Sequence, residues 1–72
     1  MTRSEIEAAI ANGHPFVLRM ADGRHYPVPD RDYISLPPTG TYVIVHDDAG
    51  KYHVLPFRTM TALEAHVPDK PQ

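Results

Sequence analysis

The sequence predicts a small, mainly β protein in which about five antiparallel strands form a small barrel behind a short N-terminal helix. Eight prolines and four glycines in 72 residues indicate many turns and few long helices. Between the turns lie short runs rich in β-branched and aromatic residues, and a closed sheet protects the edges of such short strands. One domain, residues 1–67, accounts for nearly all of the chain, and we expect residues 68–72 to be a disordered tail.

Composition limits the classes of function. Nine acidic and seven basic residues give a formal charge of −2, which is not typical of a nucleic-acid-binding protein. There is no cysteine, so thiol chemistry and disulfides are excluded. No apolar run approaches the roughly 20 residues that cross a bilayer, and no apolar signal core is present, so we expect a soluble cytoplasmic protein without membrane contact. A small core also makes oligomerisation a reasonable source of buried surface.

The first predicted element is a helix of about two turns over residues 5–12. Ser4 and Glu7 fit a capping box at its start, and Gly13 followed by Pro15 ends it. A helix this short is unstable alone, so we expect it to lie on the rest of the protein. Its apolar positions are Ile6, Ala9 and Ile10.

A hairpin follows, with strands at residues 16–20 and 24–28. If Gly23 is left-handed in a three-residue loop, Leu18 pairs with Tyr26, and the apolar residues share one face. That face contains Phe16, Leu18, Tyr26 and Val28, whereas the other contains Arg19 and His25.

The strongest strand formers make a second hairpin, residues 41–46 and 51–57, around the turn at 47–50. A type I turn closed by a glycine pairs Ile44 with Val54. One face then holds Val43, Val45, His53, Leu55 and Phe57, and the other holds Tyr42, Ile44, His46, Tyr52 and Val54. Because both faces are largely apolar, we expect the second to be covered by the helix, by barrel closure or by another subunit.

Two stretches are less regular. Residues 29–40 contain several prolines, and within them residues 33–36 are expected to form a short strand that continues the second one after a bend. Residues 60–66 fit a helix, through a capping box of Thr61 and Glu64, but their alternation fits a strand. We favour the strand because it would protect a sheet edge.

The order of elements resembles the Sm-like, or Hfq-like, branch of the SH3-like barrels. There a helix precedes five bent strands, a turn like Asp22-Gly23 joins the first two, and a turn and last strand fall where residues 55–63 lie here. The resemblance implies an SH3-like barrel and a ring that binds single-stranded RNA. This chain differs in having no glycine in its second strand and no recognisable uridine-binding set in its final turn.

The chain also resembles a group of small uncharacterised bacterial proteins. The shared features are an apolar strand after a Pro-Phe pair, an Asp-Gly-Arg turn, an acidic-Gly hairpin and a Thr-rich ending. Here they correspond to Pro15-Phe16, Asp22-Gly23-Arg24, Asp47-Asp48-Ala49-Gly50 and Thr59-Met60-Thr61. This resemblance implies no function.

The chain predicts no catalytic site, no metal site and no cofactor. Its five histidines, at positions 14, 25, 46, 53 and 66, lack metal-ligand spacing. In the predicted register, His46 and His53 point to opposite faces, so only a site shared between subunits would use both. Asp47 and Asp48, like Asp30 and Asp32, are typical turn residues rather than paired catalytic carboxylates.

Two surfaces remain as candidates for binding. The candidate protein interface consists of Tyr42, Ile44, Tyr52 and Val54. The candidate nucleic-acid patch consists of Arg19, Arg24, His25 and Arg31. Because the net charge counts against RNA, we predict a non-catalytic protein-interaction module that forms a homo-oligomer through a strand edge or the first surface. The alternative is an Sm-like ring protein binding single-stranded RNA.

Overall fold

The computed structural model describes residues 2–65; the predicted tail at 68–72, and residues 1, 66 and 67 of the predicted domain, lie outside them. The elements run in the order α1 (Arg3–Asn12), β1 (Phe16–Met20), β2 (His25–Val28), β3 (Ile34–Ser35), β4 (Tyr42–His46), β5 (Tyr52–Pro56) and β6 (Met60–Ala65). Short 3₁₀ helices, Arg31–Tyr33 and Phe57–Thr59, precede β3 and β6. The prediction of a mainly β protein with an N-terminal helix is confirmed.

The six strands form two antiparallel sheets of three strands each. The strand order is β2-β1-β6 in the first sheet and β3-β4-β5 in the second. Within residues 2–65, no strand pairing joins the two sheets into a closed barrel. Residues 34–35 pair with β4, so they form a strand of the second sheet rather than a continuation of β2. The chain passes from the first sheet to the second at the first 3₁₀ helix. The Asp30 side chain caps this helix by accepting a hydrogen bond from the Asp32 N–H at 2.9 Å.

Both predicted hairpin registers are confirmed. Leu18 lies opposite Tyr26, and Ile44 lies opposite Val54. Gly23 and Gly50 adopt the left-handed conformation that these turns require, with φ of 90° and 83°. Each sheet therefore turns its predicted apolar face inward.

Helix α1 begins two residues earlier than predicted, and the capping box assigned to Ser4 and Glu7 is wrong. The N-cap is Thr2, whose side chain accepts from the Glu5 N–H, while the Glu5 carboxylate accepts from the Thr2 N–H at 3.1 Å. This earlier start lengthens the helix and leaves Glu7 free to pair with Arg3, at 3.4 Å.

The ambiguous segment near the end of the described chain is a strand. β6 pairs with β1 in the antiparallel direction, with Leu63 opposite Leu18, and so covers the edge that β1 would otherwise expose. The second 3₁₀ helix connects β5 of one sheet to β6 of the other, and its first residue, Phe57, is buried.

One apolar core lies between the two sheets and under α1. Ile6, Leu18 and Val43 have no exposed surface, and they come from α1, the first sheet and the second sheet respectively. The remaining core residues are Ala9, Phe16, Met20, Val28, Ile34, Val45, Leu55, Phe57 and Met60. Helix α1 therefore packs with the inner faces of the sheets through Ile6 and Ala9.

Candidate functional site

The outer face of the β3-β4-β5 sheet is apolar, and no other element of residues 2–65 covers it. Tyr52, Val54 and Tyr42 expose 66%, 52% and 36% of their surface, whereas Ile44 is half-buried. The residues of β3, β4 and β5 include no Lys, Arg, Asp or Glu. The four residues predicted as the candidate interface therefore lie together on a surface without formal charge, here called the uncharged face: Ser35, Tyr42, Ile44, His46, Tyr52 and Val54.

Of the three covers expected for this face, neither α1 nor a further strand lies on it within residues 2–65, and another subunit stays a prediction. Alternation along β4 and β5 turns Val43, Val45 and Leu55 into the core, and α1 packs on that same core. The hairpin thus buries one apolar face and leaves the second exposed.

Strand β5 also has a free edge, because it pairs only with β4 within residues 2–65. The Asp47 N–H donates to the Lys51 carbonyl at 3.0 Å, and the Phe57 N–H donates to the Thr41 carbonyl at 2.8 Å. Hydrogen-bonding direction alternates along a strand, so the backbone groups of Tyr52 and Val54 point away from β4. This edge can accept another strand.

The outer face of the β2-β1-β6 sheet is different, because it carries charge. Arg19 forms an ion pair with Glu64 of the neighbouring strand, with Nε and Oε1 2.9 Å apart. His25 is the cross-strand partner of Arg19 on the other side. Two members of the predicted nucleic-acid patch are therefore adjacent, but the arginine already has a carboxylate partner.

The other two members of that patch have separate surroundings. Arg24 lies 3.8 Å from the Asp22 carboxylate of its own turn. Arg31 is exposed in the first 3₁₀ helix and lines a shallow groove with Ile10 of α1 and Leu36. The structure therefore gives both Arg19 and Arg24 an acidic neighbour.

A cleft of about 290 Å³ opens at one end of the core, between β2 and the β4–β5 turn, and is here called the hairpin cleft. Its walls include two tyrosines, three histidines, two prolines and two aspartates. Tyr26 and His53 connect the two sheets across its floor, with ring centroids 5.0 Å apart and planes inclined by 49°. The register brings these rings together, because Tyr26 and His53 both lie on inward-turned positions.

Asp47 is fully engaged in holding the turn. Its Oδ1 accepts from the N–H groups of Ala49 and Lys51, each at 2.9 Å, and its Oδ2 lies 3.1 Å from Nε2 of His53. The hydrogen bond with His53, followed by that from the Lys51 N–H, lowers the pKa of Asp47 below its ordinary value. Asp47 thus has the turn role that the sequence predicts.

Asp48 has a different environment. Its Oδ1 accepts from the Tyr33 hydroxyl at 2.6 Å, and this hydrogen bond, with the negative charge of Asp48, raises the pKa of Tyr33. Its Oδ2 has no hydrogen bond within residues 2–65. The half-buried Tyr33 therefore anchors a carboxylate that faces the hairpin cleft with one oxygen free.

The histidines do not form a metal centre among the described residues, where no three His, Asp or Glu side chains are placed so that they could hold one metal ion. His25, His46 and His53 all line the hairpin cleft, and His46 also lies 3.4 Å from the Ser35 hydroxyl on the uncharged face. His66 lies outside the described residues.

Sequence reasoning missed the hairpin cleft as a unit. The predicted register places His46 and His53 on opposite faces of the hairpin, so they were not expected at one site. The cleft lies at the end of the hairpin, where residues of both faces line the same opening. The prolines at 27 and 29 gave a signal, since a proline has no N–H to donate and is typical of an edge strand such as β2.

No helix in residues 2–65 has the length and apolar character needed to span a membrane. No protein-family model matches this chain, and no curated protein or solved structure matches it significantly.

Proposed function

We propose that this protein is a non-catalytic self-association module in which two copies join along the free edge of β5, so that their uncharged faces lie side by side. The observation that carries the proposal is the exposure of Tyr52, Val54 and Tyr42 on a sheet face without formal charge. Tyrosine is enriched in protein interfaces, and Lys, Glu and Asp are depleted from them. A contiguous exposed apolar patch on a small protein is typical of an interaction surface.

A second copy of the chain suits this face better than a charged partner. In a two-fold dimer the same surface meets itself, so any formal charge beside the junction would lie close to its own copy. The uncharged face avoids that repulsion, whereas the outer face of the first sheet would place Arg19 and Glu64 in the contact. The face also provides no side-chain charge to select an acidic or basic partner.

The edge of β5 supplies the geometry of the association. Antiparallel pairing of β5 with its copy would join the outward backbone groups of Tyr52 and Val54 to their equivalents and make one six-stranded sheet. Pro56 comes next at an outward position and has no N–H, so the pairing would end there. The exposed surface that contains Tyr52 and Tyr42 would then be continuous from one copy to the other.

An SH3-like barrel is the fold that we infer for this module. Three features support it: two three-stranded sheets share one core, β2 and β3 follow each other in different sheets, and a 3₁₀ helix connects β5 to β6. An Sm-like ring that binds single-stranded RNA is the alternative. It is less favoured because Arg19 and Arg24 both lie beside carboxylates.

Light scattering on a sizing column, over a range of concentrations, tests the proposal. We expect the wild-type chain to be a dimer, and the double variant Tyr52→Glu/Val54→Glu to be a folded monomer, because both positions are exposed in the protomer and like charges would lie opposite each other across the β5 junction. Thr61→Glu is the control for added charge: it places a carboxylate at an exposed position of the other sheet, beside Arg19, and should leave the dimer intact.

A wild-type chain that is monomeric at every concentration would overturn the proposal, and so would a double variant that still dimerises. A stable ring of five to seven subunits would instead support the Sm-like alternative. RNA titrations at low salt, with Arg19→Ala and Arg24→Ala, would then follow, because phosphate contacts weaken with salt.

A further inference from the structure

The hairpin cleft has the composition of a cation site. Aromatic rings form its walls, two aspartates lie at its rim, and no lysine or arginine of residues 2–65 lines it. The faces of aromatic rings attract cations, and a carboxylate nearby adds a direct ionic partner. The charge of the cleft therefore selects a positively charged group.

The size of the cleft limits the ligand to a group of side-chain dimensions. Pockets for drug-sized ligands and cofactors span roughly 300–1,000 Å³, and this cleft, at about 290 Å³, lies at the lower limit. A single long side chain fits this space, whereas a nucleotide would have to leave much of its surface outside. The chemistry and the volume together indicate one cationic side chain.

We propose that the hairpin cleft binds the guanidinium group of an arginine side chain presented by a partner protein. A guanidinium is flat and weakly hydrated, so it stacks on aromatic rings at a small desolvation cost, whereas an ammonium is compact and strongly hydrated. Tyr26 and His53 supply the ring surface. Asp48 supplies the acceptor, since its Oδ2 is free within the described chain, while both oxygens of Asp47 are engaged in the turn.

A partner protein is the expected source, rather than free arginine. The free amino acid carries an α-ammonium and an α-carboxylate, and both would lose hydration beside the cleft, whereas a peptide-linked arginine presents its guanidinium as the one charged group. The inference does not depend on self-association, because Asp48, Tyr26 and His53 lie off the uncharged face.

NMR titration of the full chain tests the site with acetyl-Gly-Arg-Gly-amide as the probe. We expect shifts concentrated at Tyr26, His53 and Asp48, with weaker binding of free arginine and of the lysine peptide. The citrulline peptide, which has the shape of arginine without its charge, should not bind. Equal binding of the arginine and citrulline peptides, equal binding of the lysine peptide or free arginine, or shifts centred elsewhere would overturn the proposal.

Two variants separate cation binding from a structural role of the Tyr33–Asp48 hydrogen bond. Asp48→Asn keeps an acceptor for the Tyr33 hydroxyl but removes the charge, so arginine-peptide affinity should fall by about tenfold or more. Tyr33→Phe keeps the charge and frees the second oxygen of Asp48, so affinity should hold or rise. Asp22→Asn, in the other hairpin turn, is the matched control and should bind as wild type.

The reverse result would refute the site. If Tyr33→Phe lost binding and Asp48→Asn kept it, the hydrogen bond would matter only for the shape of the loop. Amide spectra of each variant would confirm that the chain is folded before its affinity is compared.

Discussion

The uncharged face is exposed because α1 packs on the inner faces of the sheets. The variant Ile6→Ala tests this placement of α1. Ile6 is fully buried in the shared core. Truncating a buried isoleucine to alanine costs about 2–5 kcal/mol. At ordinary stabilities per residue, a 72-residue chain unfolds with only about 4–11 kcal/mol, so we expect the variant to lose a large part of its stability. Alanine is the better helix former, so helix propensity cannot explain such a loss.

Urea unfolding followed by far-UV circular dichroism measures this loss as a shift of the midpoint at unchanged slope. Ile10→Ala is the matched control, because Ile10 lies on the same helix and is only half-buried. We expect its cost to be about half that of Ile6→Ala or less. If Ile6→Ala stayed within about 0.5 kcal/mol of wild type, α1 would not contribute to the core, and its position relative to the uncharged face would have to be reconsidered.

Two further predictions concern the turns. The hydrogen bond with His53 lowers the pKa of Asp47, so its carboxylate stabilises the fold above the unfolded-state pKa, and this contribution is lost as the pH falls through the lower folded-state pKa. In wild type, the urea midpoint should therefore fall as the pH drops below about 4, and in Asp47→Asn this fall should be smaller. An equal fall in the two proteins would contradict the role given to Asp47. Gly13 ends α1 with a φ of 75°, and a Cβ there meets no atom within 4 Å, so Gly13→Ala should cost only the backbone strain, about 1–2 kcal/mol. Thermal unfolding should show a smaller loss of stability for Gly13→Asn than for Gly13→Ala. An Ala variant as stable as wild type would contradict the left-handed conformation assigned to Gly13.

The hairpins were predictable because two independent local signals agree in each. Gly23 and Gly50 fix the loop lengths through the left-handed conformation, and the apolar alternation fixes which side turns inward. A slip of one residue would have exposed Leu18 or Val43, both of which are fully buried. Local chemistry is sufficient where turn and alternation give the same register.

The N-cap was not predictable, because the chain offers two capping boxes two residues apart. Thr2 with Glu5 and Ser4 with Glu7 satisfy the same local rule. The two additional helical residues and the Arg3–Glu7 ion pair favour the earlier start, and neither is a property of the box itself. The assignment of β3 to the second sheet was missed for a related reason, since pairing with β4 is a tertiary contact.

The candidate interface was largely predictable, and the hairpin cleft was not. The four interface residues follow from strand alternation alone, which places them opposite the buried Val43 and Leu55. The cleft instead requires β2 of one sheet to meet the turn of the other, and no local pattern indicates how far apart those elements lie. Tyr33 illustrates this, because its hydroxyl bonds to Asp48, which lies 15 residues away in the chain.

In the β4–β5 hairpin the charged residues and the exposed apolar residues lie in different parts: the former at the turn, the latter on the strands. Strands β4 and β5 have no formal charge, whereas the four-residue turn between them contains Asp47 and Asp48, and Lys51 follows it. Asp47 closes the turn, and a closed turn sets the register that exposes Tyr52 and Val54 on one side. Asp48 is not needed for that closure, so its carboxylate is available to the hairpin cleft. The same four-residue turn therefore determines both the uncharged face proposed for self-association and the acidic cleft proposed for arginine.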